Sequence, residues 1–219
     1  MTFEIECTTI IFDFDGTLFD SMPFWDDLAL CGLAERGLEP EPDLLLRLPS
    51  MTMREVADHL AKNYPQLGSA DNIFIAWKKR AREAFQYELA FKPGALELLA
   101  DLARRQKKIA IATMSERAIV ELALQRHDLV SMIDTLVTFE DVGIGKHEPD
   151  IWLEVTRQLK TNPQSCIVIE DAFFAARTAK AAGFTVIGVA DQANAPFAAK
   201  MREVTDLYVD RLNELIGLI

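Results

Sequence analysis

The sequence predicts an α/β fold, a doubly wound and mostly parallel sheet interrupted after its first strand by an all-helical insert. Three observations point there. Short runs rich in Ile and Val recur along the chain and are apolar at nearly every position, as strands covered on both faces are. Each run ends in polar or acidic residues and leads into a helical pattern, the alternation expected of a parallel sheet. Between about residues 21 and 91 no such run occurs.

The first predicted strand is 9–14. Helical patterns follow at 24–36, 42–48, 53–63 and 72–88, separated by Gly, Pro and Asn. A stretch of about 70 residues is far too long for a connecting loop, so it reads as a small helical domain over the strand ends. The expected division is 1–20 with 92–219 as the sheet domain and 21–91 as the helical one, joined near 19–21 and 91–94. After the Pro93-Gly94 break, Leu96, Leu98, Leu99 and Leu102 mark a helix, and 108–113 is the second strand. Ile119, Val120 and Ala123 mark the next helix, before a strand at 135–138. Pro149-Asp150 starts a helix carrying Ile151, Trp152, Val155 and Leu159, since Pro is favourable in a first turn. Strand 166–170 leads to an alanine-rich helix stopped by Gly183, then to strand 185–190 and a weak strand at 207–209. Such a Rossmann-like sheet binds ligands outside the carboxyl ends of its strands.

Half of the 219 residues are hydrophobic and 26% charged, which is ordinary globular usage. The formal net charge of −11 disfavours nucleic acid and anionic membranes as partners. A small anionic substrate stays compatible, because one metal ion and one lysine reverse the field inside a pocket. Cys7, Cys31 and Cys166 have neither disulfide-framework nor zinc spacing. No run approaches the ~20 apolar residues of a membrane span, and the start lacks a secretory pattern. A cytoplasmic monomer is the expectation.

Four motifs carry the chemistry. Asp13-Phe14-Asp15-Gly16-Thr17-Leu18 ends the first strand. Residues two apart on a strand share a side, so Asp13 and Asp15 start together, and Gly16 lets the backbone turn its N–H groups toward an anion. Crowded carboxylates repel, and a hard divalent cation such as Mg²⁺ relieves them while binding phosphate. A carboxylate can also attack phosphorus and form an acyl phosphate. Thr113-Met114-Ser115 ends the second strand, where a hydroxyl and free N–H groups can hold phosphate oxygens, although Ser115 could equally cap the next helix. Lys146 sits in Gly143-Ile144-Gly145-Lys146-His147-Glu148-Pro149-Asp150, a shaped loop where an ammonium can neutralise moving charge. Glu170-Asp171 ends a buried strand, costly for acids unless a metal compensates, with a helix cap at Asp171 as the alternative.

On these residues the chain resembles the haloacid dehalogenase-like superfamily, in its helical-cap phosphatase and β-phosphoglucomutase branch. Asp13-x-Asp15-Gly-Thr matches the first motif, Thr113 the second, Lys146 the third and Glu170-Asp171 the fourth. The resemblance implies that Asp13 is the nucleophile and Asp15 the general acid and base. It implies Mg²⁺ held by Asp13, the Asp15 carbonyl and Asp171, with Glu170 directly or one shell out. Gly16, Thr17, Thr113, Met114, Ser115 and Lys146 are then expected around the phosphoryl group. The implied activity is hydrolysis of a small phosphate monoester: a sugar or polyol phosphate, a nucleotide or phosphoglycolate. A phosphosugar mutase and a non-catalytic phospholigand-binding protein are the alternatives. Asp15 argues against halide chemistry, since the dehalogenases lack it. The mutases carry a histidine where this chain has Phe24-Trp25-Asp26. Trp25, Arg47, Arg54, Trp77, Lys78 and Lys79 are the insert side chains in position to reach a substrate; packing or solvation is their alternative.

Overall fold

The computed structural model describes residues 5–219, so the first four residues of the expected sheet segment, part of the start read as lacking a secretory pattern, lie outside the described residues. Six strands form one sheet: β1 (Thr9–Phe12), β2 (Lys108–Thr113), β3 (Thr135–Thr138), β4 (Cys166–Glu170), β5 (Thr185–Val189) and β6 (Leu207–Val209), in the order β3-β2-β1-β4-β5-β6. Every neighbouring pair is parallel. The chain builds outward from β1 through β2 to β3, then returns to β4 on the other side. The end of β1 is therefore the topological switch point.

Alternate strand positions supply two cores, which is why the strands read as continuous apolar runs. Ile10, Phe12, Ile109, Ile111, Ile167 and Ile169 face one side, where α5 (Ala95–Arg104) and α6 (Arg117–Arg126) pack. Ile11, Ala110, Ala112 and Val168 face the other, with α8 (Asp150–Leu159), α9 (Phe173–Ala181) and α10 (Ala198–Val204). The short helix α7 (Phe139–Val142) follows β3. Fully buried Trp152 on α8 anchors the second core.

Between β1 and α5 the chain is helical: α1 (Met22–Ala34), α2 (Leu44–Arg47), α3 (Met53–Asn63) and α4 (Ala70–Tyr87). Thr52 and Glu55 close a capping box at the start of α3, and the Ser69 hydroxyl accepts from the Asn72 N–H at the start of α4. These helices gather a cluster of their own from Leu33, Leu44, Val56, Leu60 and Ile73. The segments entering and leaving them run side by side. Asp20 N–H bonds the Ala90 carbonyl at 3.0 Å, Lys92 N–H bonds the Leu18 carbonyl at 2.8 Å, and the rings of Phe19 and Phe91 lie 4.1 Å apart.

Several expected bounds shift by a residue or two, and two shifts have a clear local cause. The strand expected at 9–14 stops at Phe12, because the Phe14 carbonyl turns to accept from both Leu18 and Phe19. The helix expected at 42–48 shortens to Leu44–Arg47, since Pro49 diverts the chain into a 3₁₀ turn at Leu48–Ser50. Among the described residues no helix is long and apolar enough to cross a membrane.

Gly94 opens α5 with a φ of 87°, and a β-carbon there would lie 2.5 Å from the Asn213 backbone nitrogen. Gly94→Ala combines left-handed strain with a backbone collision and is expected to cost about 2–4 kcal/mol, read from the urea midpoint. A loss below about 1 kcal/mol would mean that the Leu212–Leu215 turn gives way freely.

Candidate active site

The parallel register sets the ends of β1, β2 and β4 level, so residues distant in sequence meet at one crevice. Phe12 pairs with Ile111 on one side and Ile169 on the other, which brings Asp13, Thr113, Glu170 and Asp171 to a common edge. Carboxylate oxygens of Asp13, Glu170 and Asp171 all lie within 4.8 Å of one another, and all three side chains are buried. Lys146, itself 3% exposed, enters from the loop after α7; its Nζ donates to Asp13 Oδ1 and, at 2.8 Å, to Glu170 Oε2. Asp171 accepts from Thr17 Oγ1 at 3.0 Å and from Asn194 Nδ2 at 2.7 Å. Gly16, at φ 76°, passes so close that a β-carbon would sit 2.4 Å from Asp171 Oδ2.

Burial and the neighbouring Glu170 charge push the Asp13 carboxyl up to about 8, against the pull of Lys146. Burial, with Glu170, Asp13 and Asp191 adding to it, raises Asp171 well above its ordinary range. Burial works against the Lys146 ammonium, but Asp13 and Glu170 outweigh it and hold the group above its usual value. Three acids facing one ammonium leave negative charge uncompensated. Three hard carboxylate oxygens gathered this closely are the kind of donor set that holds a small divalent cation, and their chemistry suits Mg²⁺.

Asp15 has a different setting. Its Oδ1 accepts from Ser21 Oγ at 2.6 Å and Trp25 Nε1 at 2.8 Å, and its Oδ2 from Ser115 Oγ at 2.5 Å. It therefore shares a cavity of about 270 Å³ with Asp13 but is held by neutral donors.

Thr113 and Met114 line that cavity, and the Thr113 hydroxyl accepts from the Ser115 N–H at 3.0 Å. Ser115 does not cap the following helix; α6 starts at Arg117 and the Ser115 hydroxyl goes to Asp15. Nor does Asp171 cap α9, whose flanking residue is Ala172. Gly16 and Thr17, expected around the phosphoryl group, do not line the cavity and lie against Asp171, Thr17 through its hydroxyl. Of the insert residues, Trp25, Arg54 and Trp77 reach the cavity. Arg47 pairs instead with Glu41, and Lys78 with Glu116 at 2.7 Å; Lys79 is exposed and away from the wall. Sequence reasoning missed Asn194 and Ser21, and missed Trp25 as a hydrogen-bond donor. Only the position of Asn194 just past an apolar strand hinted at it.

Comparison with known proteins fits this geometry. The haloacid dehalogenase-like hydrolase family matches residues 10–189. Hexitol phosphatase A of Escherichia coli is 30% identical over 214 residues, covering 96% of this chain and 94% of that one. A bifunctional riboflavin kinase/FMN phosphatase of Arabidopsis thaliana is 29% identical over 181 residues; the match covers 82% of this chain and 48% of that protein, so the chain spans about half of it. A crystal structure of mutant CbbY from Rhodobacter sphaeroides, bound to xylulose-(1,5)bisphosphate, superposes with a TM-score of 0.80 at 22% identity, covering 95% and 96% of the two chains. The sheet order, the switch-point carboxylates and these matches agree: the chain is an enzyme belonging to the haloacid dehalogenase-like hydrolase family.

Proposed function

We propose that the enzyme is a Mg²⁺-dependent phosphatase that hydrolyses a small phosphate monoester through an aspartyl phosphate on Asp13, with residues 21–91 as a cap over the site. The observation that carries this is the pair Asp13 and Asp15, two carboxylates in one cavity with opposite surroundings. Asp13 lies among charges, with an ammonium bonded to it. Asp15 lies among hydroxyls and an indole.

That difference divides the labour. Asp13 attacks phosphorus while Lys146, already on Asp13 and Glu170, takes up the charge passing to the phosphoryl oxygens. Asp15 gives a proton to the leaving oxygen, then takes one from the water that cleaves the acyl phosphate. The Ser21 and Ser115 hydroxyls can turn from donor to acceptor, so they follow Asp15 through both protonation states. Thr113 and the N–H groups beyond it cradle phosphoryl oxygens. Thr17 and Asn194 fix the Asp171 carboxylate. Asp13, Asp171 and the Asp15 carbonyl would hold Mg²⁺, with Glu170 bound directly or through water; the ion supplies positive charge opposite the phosphoryl oxygens. Cap closure, hinged on the paired segments at Phe19 and Phe91, would exclude water during transfer.

Hydrolysis is favoured over mutase chemistry by the cap wall. A mutase must also hold a second phosphate, and Arg54, the one cap cation on the wall among the described residues, is paired with Asp58 at 3.1 Å and Asp71 at 2.6 Å. The related hexitol phosphatase and FMN phosphatase support the reaction class while differing in leaving group. The partner is thus a small phosphorylated metabolite, and a cytoplasmic monomer remains our reading. Inorganic phosphate release from a panel of esters is expected with Mg²⁺, to stop with EDTA, and to fall at least ~10³-fold in Asp13→Asn. Release that survives in Asp13→Asn would sink the mechanism.

A further inference from the structure

The cap wall is made of carbon. Leu48, Met51, Met53, Val56, Phe74 and Trp77 supply it in and around α3 and α4, and Trp25 on α1 joins them. Most of the few polar side chains on this wall are already engaged. The Thr52 hydroxyl accepts from the Glu55 N–H at 3.2 Å and meets the Glu55 carboxylate at 2.9 Å. The Arg54 guanidinium is held by its two aspartates, and Glu116 by Lys78. Among the described residues, two polar groups on the cap wall make no hydrogen bond or ion pair: the Asp26 carboxylate and the Trp77 indole N–H.

A polyol chain laid against this wall would give up water at hydroxyl after hydroxyl and find two free partners, Asp26 to accept and the Trp77 N–H to donate, leaving its other hydroxyls unpaired at a cost for each. A second anion on the substrate, carboxylate or phosphate, would face Asp26, Glu116 and Glu140, with the wall's cap guanidinium already neutralised. A flat apolar group meets the opposite situation. The Trp25 indole is pinned by its N–H to Asp15 at 2.8 Å, so its ring is fixed beside the carboxyl that serves the leaving oxygen. Phe74 has cations over its ring, Arg54 at 5.7 Å and Lys78 at 5.8 Å, whereas the indole N–H of Trp77 is tied to no described residue. Indole side chains at two positions on the wall, Trp25 and Trp77, suit a ring carried by the first atoms of the alcohol.

We infer that the leaving group is an arylmethyl or heteroarylmethyl alcohol, or its close homologue, rather than a polyol or a doubly anionic metabolite. This rests on the phosphatase reading above, and it narrows that reading to one substrate class.

Binding and turnover test it separately. Asp13→Asn with Mg²⁺ is titrated with phenethyl phosphate, a pyridylmethyl phosphate, a hexitol phosphate and phosphoglycolate, read by tryptophan fluorescence and confirmed by calorimetry. The aryl esters are expected to bind at least about tenfold more tightly than the other two. Trp77→Ala in the same background is expected to narrow that preference about tenfold, and Trp77→Phe to keep most of it. In the wild type, kcat/KM should rank the esters the same way. Equal or tighter binding of the hexitol phosphate or phosphoglycolate overturns the inference, as does a preference that Trp77→Ala leaves intact. Preferential aryl binding without any phosphate release supports the inference about the cavity and overturns the phosphatase reading instead.

Discussion

Lys146→Met is expected to lower kcat at least ~10³-fold and to destabilise the metal-free protein by about 3–5 kcal/mol. Lys146 is the cation, among the described residues, that touches Asp13 and Glu170, and it is buried with them. Methionine fills much the same volume but leaves three buried acids with no positive partner. Removing one member of a buried charge cluster strands the rest, which is why the loss exceeds that of any surface pair on this protein. For a chain of this size the loss corresponds to a fall in Tm of roughly 10 °C. Lys146→Arg is no rescue. The ammonium is a compact point charge lying 5.8 Å from the Trp152 ring centroid, and a planar guanidinium needs room that the fully buried indole does not leave. Mg²⁺ should restore part of the lost stability in Lys146→Met and none of the lost turnover. Near wild-type turnover of Lys146→Met at saturating Mg²⁺ would mean that the lysine only balances charge and does nothing for the phosphoryl group.

The parts of this molecule that could be read from sequence are those whose physics is local or periodic. Strands β2, β3 and β4 fall where the apolar runs put them, because burial on both faces writes itself into every residue of a strand. Helix α3 is placed to the residue by Thr52, Glu55 and the break before Pro65. Phe14 misled because an apolar residue after a strand looks like more strand, while here its ring packs on Phe19 and Phe85 and its carbonyl closes a turn. The meeting of Asp13, Thr113, Lys146, Glu170 and Asp171 was readable for a similar reason, as each ends a strand or a glycine-bounded loop. Asn194, Ser21 and the Trp25 indole were not. Each does its work through one hydrogen bond to a carboxylate placed by tertiary structure, and a single donor leaves no pattern along the chain. The apolar cap wall lies between these cases. Met53, Phe74 and Trp77 are visible as helix residues, but whether they face the insert's own cluster or the cavity depends on how α3 turns against α4.

Asp13→Asn should make the metal-free protein more stable even as it removes turnover, and the gain should depend on pH. The Asp13 carboxyl is raised from 3.8 to about 8, first by burial and then by Glu170, with Lys146 opposing. Between those values the folded chain keeps a proton that the unfolded chain has released. Stability from this group is therefore fully present below about pH 4 and is lost as pH rises through 8. Asparagine carries no charge at any pH and removes that loss, while Lys146 keeps Glu170 as a partner. The stabilisation by Asp13→Asn is expected to grow by about 1–3 kcal/mol between pH 5 and pH 8, read from urea unfolding in EDTA. The gain stays below the full single-group value because Asp171 shares the same excess of negative charge. Added Mg²⁺ should close the gap at pH 8 from the wild-type side, since the wild-type trio offers the ion one more carboxylate than the variant does. A gain that is equal at both pH values, or absent at pH 8, would show that Asp13 bears no such burden. The residue placed as nucleophile would then be settled in its site without strain, and the cluster's need for a cation would rest on Glu170 and Asp171 alone.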